Sequence, residues 1–308
     1  FKPSLKFGDD QKELWKVALP IMLGGATAQM YTILQRFFTN GLEEGAVAAM
    51  NYATKVSQFP QAILMTAVTT VIYPLLSKKE GEGDQEAVKG LYLRGLRMLY
   101  LLVMPISIYV YFEAESLIRI IFEYGLFDAS STAITAPILE IFSLTMFFLA
   151  ANMYITRFYY AKGNSMTPVL FSILTVFGVN IAVTYLLIDE LGANAVAWGN
   201  VVSAAVNFIL LVAYLQGKYK LYFVKNNILQ FGKFAVLTVG YFIVTWVVST
   251  FVNIEFKWIH VIVTFLLTMI GYIVLVSILK FQEINGLLGK IKNKIIFFKQ
   301  KTEYEMPK

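Results

Sequence analysis

The chain has no cysteine and a single histidine, His260. Disulfides and thiolate metal sites are therefore excluded. One imidazole supports neither a histidine metal site nor a catalytic histidine triad. Charge is scarce as well: only 15% of the residues are charged, against about a quarter in an ordinary soluble domain. The segment "GEGDQEAVKG" has glycines but not the spacing of a phosphate-binding loop. The short acidic pairs Glu43 with Glu44 and Asp189 with Glu190 are the places where a membrane enzyme would hold a metal or a general base. They read more simply as solvated loops.

What is present is apolar. Hydrophobic residues make up 57% of the chain, in recurrent runs long enough to cross a hydrocarbon layer of roughly 30 Å as helices. Eight spans are expected, at residues 14–39, 46–76, 90–112, 131–161, 167–188, 193–215, 228–252 and 258–279. The fold class is an all-α polytopic membrane protein. A soluble core built of eight helices with no amphipathic member is an implausible alternative. Pro20, Gly24, Gly25 and Pro60 punctuate the first two spans and are candidate bending points. Small residues at such positions also serve ordinary helix packing.

The connections alternate in sign. Basic segments around Lys12, Lys79, Lys162, Lys220 and the C-terminal tail hold 22 of the 26 Lys and Arg residues, all on one side of the eight-span arrangement. The positive-inside rule makes that side cytoplasmic, so both termini are expected there. The stretch 114–124 is short and amphipathic, with Leu117, Ile118, Ile121 and Phe122 expected to face lipid. His260 falls in an outer turn. The tail "LLGKIKNKIIFFKQK" suits either an anionic leaflet or a solvated end.

Apart from the bases counted with the basic segments, three charged residues fall inside spans: Arg36, Lys55 and Glu140. An ionised side chain facing lipid near the midplane costs on the order of 3 kcal/mol or more. Arg36, near the end of its span, can reach the headgroups. Lys55 lies about 13 Å inside the second span and needs another solution. One is an ion pair with Glu140. The other is a water-filled cavity in which the ammonium receives an anionic group such as a phosphate. Gln29, Tyr31, Thr32, Gln35, Asn51, Tyr52, Ser57 and Gln58 share these two spans and are candidates to line it.

Four stretches carry a family resemblance: "LPIMLGGATAQMYTILQRFFTNGL", "GAVAAMNYATKVSQFPQAILMTAVTTVIYPLLSKK", "IIFEYGLFD" and "RFYYAKGNSMTPV". In this order and spacing they resemble the MurJ (MviN) lipid II flippases, within the superfamily of multidrug, oligosaccharidyl-lipid and polysaccharide exporters. The motifs cover about residues 1–215, and the last two spans match in placement and hydropathy. The resemblance implies a C-terminal six-helix lobe at 1–217, two additional helices at 218–280 and a basic tail at 281–308. An N-terminal lobe would be the missing partner, and Phe1 in place of Met agrees with a longer protein.

It further implies flipping of the undecaprenyl-diphosphate-linked peptidoglycan precursor, lipid II, from the inner to the outer leaflet of the bacterial plasma membrane. The transporter would need no catalytic residue, no cofactor and no nucleic acid. Its partners would be the lipid-linked glycan diphosphate and membrane lipids. The alternative cargo is another polyprenyl-linked glycan, such as a capsule, teichoic-acid or O-unit precursor. By position Lys55 matches a functionally important arginine of the family. The substrate-binding residues expected are Lys55, Arg36, Asn51, Tyr52, Gln29, Gln35 and Glu140. Gln35 and Thr184 stand where relatives carry carboxylates of a cation site, with Asn180 beside them. Both are uncharged here, so that site is at most weak.

Overall fold

The structure, a computed structural model, describes residues 9–42, 44–222 and 228–281. The described residues fold into helices joined by short connections, with no strand among them. In chain order these are α1 (Asp9–Thr39), α2 (Ala46–Gly81), α3 (Gln85–Phe112), α4 (Ala114–Phe122), α5 (Ala129–Ala161), α6 (Met166–Ile173), a π-helical segment (Leu174–Asn180), α7 (Ile181–Leu191), α8 (Ala193–Tyr219), α9 (Ile228–Phe251) and α10 (Lys257–Leu279). Because α6, the π segment and α7 run on as one helix, eight long helical segments result, with α4 as a short ninth element. Six of the described helices are long and apolar enough to cross a membrane by length and composition. The other two long ones, α1 and α2, are more polar. The basic tail lies outside the described residues apart from Phe281, as do Lys2 and Lys6.

Local chemistry sets the ends. Between α1 and α2 the chain turns through Gly41 (φ 93°) and Gly45 (φ 88°), left-handed positions that cost a residue with a Cβ. At the opposite end α2 and α3 run past the expected spans, to Gly81 and back to Gln85. Lys79 bridges Glu82 at 2.8 Å and Asp84 at 3.3 Å, and Asp84 caps α3 by accepting from the Ala87 N–H at 3.0 Å. That N–H and the Lys79 ammonium hold the Asp84 carboxyl below its ordinary range. These contacts stabilise helical turns that apolar burial does not reach. Lys162, buried at the end of α5, contacts both carboxylate oxygens of Glu80 at 2.9 Å. It ties α5 to α2 at this basic end of the bundle.

The central helix is α5, which packs against α2, α3, α4 and α8. Toward the acidic end, Ala46, Ala49 and Ala53 of α2 and Ala193 and Ala197 of α8 meet Ile138, Leu139 and Phe142 of α5. Small side chains let the helix axes approach closely. Toward the basic end, Tyr92 and Leu96 of α3 pack with Tyr154 and Phe158 of α5 and Leu211 of α8. Buried tyrosines stitch the helices together. Tyr154 donates to the Leu91 carbonyl at 2.7 Å and Tyr159 to the Leu211 carbonyl at 2.7 Å.

The helices α9 and α10 pack on each other and on α3, where Leu101, Leu237 and Val276 form a small core. Tyr272 donates to the Leu101 carbonyl at 2.6 Å, and Tyr109 donates to the Val261 carbonyl at 2.8 Å. At the acidic end Glu113, between α3 and α4, is buried. It accepts from Ser249 of α9 at 2.7 Å and meets His260 at 3.2 Å. His260 therefore belongs to the first turn of α10 and not to the preceding turn.

The position of α4 corrects the sequence reading. Ile118 is fully buried and Leu117 and Phe122 pack into the core, leaving Ile121 as the exposed member of that set. The apolar face of α4 meets α5 and α10, so protein rather than lipid covers it.

The packing leaves no room for a side chain at Gly95. A Cβ at Gly95 would overlap the Tyr154 hydroxyl and ring, whereas Gly90, on the same helix, has open space. Gly95→Ala is expected to cost about 1–3 kcal/mol and to lower the melting temperature of the detergent-solubilised protein, with Gly90→Ala unchanged or slightly more stable. Equal melting of the two variants would show that Tyr154 is not wedged against α3.

Candidate functional site

Polarity is concentrated on α1 and α2. On α2 the residues Asn51, Lys55, Gln58, Ala62, Thr66 and Thr70 are exposed at spacings of three or four and so form one stripe along the helix. The opposite side, Ala49, Ala53 and Ser57, is buried. The stripe keeps its helix intact because its short polar groups bond backward along it. Asn51 donates to the Val47 carbonyl at 2.9 Å, Thr66 to Ala62 at 2.9 Å and Thr70 to Thr66 at 2.9 Å.

Beside the stripe lies a cavity of about 640 Å³ between α1, α2, α5, α8 and the helix of α6 and the π segment. Its lining has no charged residue and mixes many polar side chains with apolar ones such as Leu149, Met153 and Val176. From α1 come Thr27, Gln29, Tyr31, Thr32 and Gln35, and from α2 come Thr54, Ser57 and Gln58. Asn152 of α5, Thr175 of the π segment and Asn200, Ser203 and Asn207 of α8 complete it. Gln35 is buried and donates to the Tyr31 hydroxyl at 2.6 Å. Asn152 donates to the Ala204 carbonyl at 3.0 Å, while its own Oδ1 and that of Asn207 are buried with no hydrogen-bond partner. Two unpaired amide acceptors in a roomy polar space are suited to water or to the hydroxyl and amide donors of a ligand.

The residues expected from sequence divide into groups. Gln29, Tyr31, Thr32, Gln35, Ser57 and Gln58 line the cavity together. Asn51 and Lys55 are exposed on the stripe next to it. At about 100° per residue, Lys55 projects about 60° away from Gln58 around α2. Its ammonium stands 5.9 Å from the Tyr52 ring centroid. Tyr52 itself packs on Phe122 and Phe127 at a second, smaller pocket of about 350 Å³ that also includes Glu44 and Asp128. Arg36 is exposed near the end of α1.

Glu140 does not pair with Lys55, the alternative weighed from sequence. Its carboxylate has no hydrogen-bond partner among the described residues, and its main-chain oxygen accepts from the Ser143 hydroxyl at 2.6 Å. Lys55 has no carboxylate partner among them. The candidate cation residues are also divided. Asn180 and Thr184 converge on Gly199, where a Cβ would overlap the Thr184 hydroxyl and come within 3.0 Å of the Asn180 carbonyl. Gln35 faces the cavity, which Asn180 and Thr184 do not line. The Asn180 amide nitrogen and the Thr184 hydroxyl are buried and unpaired. An unpaired amide donor with no carboxylate is a poor setting for a buried cation, so no transport step is assigned to one.

Sequence reading missed Asn152, Thr175, Asn200, Ser203 and Asn207, single polar residues in apolar runs. The α8 set carried a usable signal: positions 200, 203 and 207 recur at i, i+3 and i+7, the period of one helix face.

Since the chain has no native cysteine, the stripe can be mapped directly in membranes. Single cysteines at Asn51 and Gln58 are expected to react with a water-soluble maleimide, and one at the exposed apolar Ile63 is expected to resist it. Equal resistance at all three positions would mean that lipid, not water, covers the stripe.

Comparison with known proteins adds an independent line. The family model described as lipid II flippase MurJ matches residues 1–270. A probable lipid II flippase MurJ of Rhizobium meliloti is 29% identical over 205 residues, which cover 66% of this chain and 38% of the relative. The lipid II flippase MurJ of Burkholderia cenocepacia is 28% identical over 193 residues, covering 63% and 37%. The chain thus spans less than two-fifths of the length of these curated relatives. Among solved structures, a lipid II flippase MurJ in an inward closed conformation superposes with a TM-score of 0.71 at 20% identity, covering 89% of this chain and 56% of the other. An outward-facing multidrug transporter of the MATE family gives 0.59 at 16% identity, covering 88% and 65%. At these identities the two structures establish the fold.

Proposed function

Since the chain belongs to the family of the lipid II flippase MurJ, we propose that it forms one lobe of a flippase for lipid II and carries part of the path for the headgroup. The path is the α2 stripe with its adjoining cavity. The basic end of the bundle is cytoplasmic, as the positive-inside rule requires, and the cargo moves toward the acidic, outer end. The covered share of the relatives leaves room for a second lobe on the exposed side of α1 and α2. Two lobes rocking about a site near the midplane expose it to one face at a time. The cargo moves only because the two orientations bind it differently.

The observation that carries this reading is Lys55. It is a cation in a span, without a carboxylate partner among the described residues, next to a cavity with no charged lining residue. A diphosphate would supply the missing counter-charge, with the ammonium acting as a compact point charge. Asn51, Gln58 and the cavity amides would hydrogen-bond the uncharged glycan and peptide. Arg36 and Tyr52 would extend the contact surface toward the acidic end, and Glu140 would border it without touching the diphosphate.

In the complete transporter, Lys55→Ala is expected to reduce precursor export by about tenfold or more, the scale of one lost charge-assisted contact. Lys55→Arg should retain or improve export, and Glu140→Gln should have a milder effect. The measurement is the inner-leaflet pool of lipid-linked precursor after the unsubstituted protein is depleted. Normal export by Lys55→Ala would remove the cavity role. Accumulation of a different polyprenyl-linked glycan would replace lipid II as the cargo.

A further inference from the structure

Among the described residues of the basic end, Arg157 is the cation with a buried nitrogen that has no hydrogen-bond partner. There, Glu80 is engaged by Lys162, Glu82 and Asp84 by Lys79, and Glu86 by Lys89. Arg157 has no carboxylate partner among the described residues, and its Nε is buried without a hydrogen bond. The guanidinium is held instead by two rings, 5.7 Å from the centroid of Tyr73 on α2 and 5.9 Å from that of Tyr160 on α5. Stacking on aromatic faces is a favourable state for arginine. It fixes the side chain while leaving the guanidinium N–H groups free for an anion.

The position is as informative as the isolation. Met153 of α5 lines the polar cavity, and Arg157 follows it by one helical turn on the same face. On α2, the stripe that carries Lys55 reaches Tyr73 after 18 residues, a rise of about 27 Å. The surfaces of α2 and α5 beside the cavity therefore continue to Arg157. A diphosphate is far shorter than that interval, so it cannot touch both cations at once.

We propose that Arg157 is a second anion station of the same path, receiving the diphosphate of the lipid-linked cargo at the basic end before it reaches Lys55. The inference rests on the flippase reading and adds a residue, an order of contacts and a chemical division to it. The planar fork captures a phosphate at the mouth, and the point charge holds it deeper in the membrane. Tyr73 and Tyr160 position the fork.

The test uses the complete transporter in phosphatidylcholine nanodiscs, titrated with polyprenyl diphosphate and, in a parallel arm, with phosphatidylglycerol. A flipping assay in vesicles accompanies it. Arg157→Gln is expected to weaken polyprenyl diphosphate binding about tenfold and raise the half-saturating cargo concentration in the assay, with little change in maximal rate. Arg157→Lys should recover part of the loss, and phosphatidylglycerol binding should be unaffected. Lys55→Ala should instead lower the maximal rate. Three results overturn the inference: unchanged diphosphate affinity in Arg157→Gln, a loss confined to phosphatidylglycerol, or equal losses in Gln and Lys variants with a lowered melting temperature, which would make Arg157 a packing residue. Each leaves the flippase reading standing if Lys55→Ala still fails to flip cargo. An undiminished rate in Lys55→Ala removes that reading as well.

Discussion

Hydrocarbon offers no hydrogen bonds, so every polar group that enters it must find its partner in the protein or in enclosed water. This chain meets the constraint in two ways, and the division between them organises the structure. Most polar side chains are closed off locally. Thr27, Thr54, Thr66, Thr70 and Thr245 bond the carbonyl four residues back. The tyrosines reach farther: Tyr109, Tyr154, Tyr159 and Tyr272 each bond a main-chain carbonyl of another helix. These cross-helix bonds lie within the apolar cores, where they make α3, α5 and α8 a tightly joined unit and attach α10 to α3. The remaining polar groups are not closed off. Among them, the oxygens of Asn152 and Asn207 and the Nε of Arg157 are buried and unpaired, and Lys55 has no carboxylate partner among the described residues.

Unpaired groups of this kind are costly unless something else satisfies them. Buried unpaired groups also occur away from the cavity, at Tyr92, Ser107, Thr184 and Tyr241, but those of Asn152 and Asn207 border a space roomy enough for water or a ligand. On the proposed reading, the water-facing path also explains why α1 and α2 are the least apolar of the long helices although they are among the longest. α2 alone has 36 residues, about 54 Å of helix. A helix that borders water along much of its length has no need of a wholly apolar surface. Its buried side, rich in alanine, does the packing, and its exposed side is free to carry amides, hydroxyls and an ammonium.

Much of this was legible in the sequence, because the signals were long or chemically costly. Runs of twenty apolar residues fix the helical class, and the isolated charge at Lys55 marks α2 as the helix on which the proposed path is built. Shorter signals failed for identifiable reasons. The face of α4 looks lipid-facing because amphipathicity reports an apolar partner and not which one, and α5 and α10 fill that role. The ends of α2 and α3 were placed short because ion pairs around Lys79 and the Asp84 cap extend them beyond the apolar run. Asn200, Ser203 and Asn207 were passed over because isolated polar residues are common in membrane helices, and only their period sets them apart. The π segment at Leu174–Asn180 leaves no mark in residue type, since any helix-compatible sequence can take the wider turn. The separation of Asn180 and Thr184 from Gln35 likewise depends on how three helices meet, which spacing along one chain does not encode.

The uncharged lining of the cavity bears on how a large anionic headgroup can move at all. A path lined continuously with cations would bind a diphosphate at every depth and release it slowly, since passage requires binding strong enough to admit a ligand and weak enough to let it leave. Amides and hydroxyls contribute individually modest hydrogen bonds and replace the hydration of a glycan without fixing its phosphate. On the proposed reading, charge is then needed only where the diphosphate pauses. A stacked arginine at the mouth and a lysine deeper in the membrane satisfy that requirement, the rise along α2 from Lys55 to Tyr73 being about 27 Å. Lysine at the deeper position carries a consequence of its own. Its ammonium can follow the phosphate through several geometries, whereas an arginine fork would favour one. Either side chain keeps the positive charge at that depth, so the difference between them lies in the geometry of the phosphate contact and not in whether the charge is supplied.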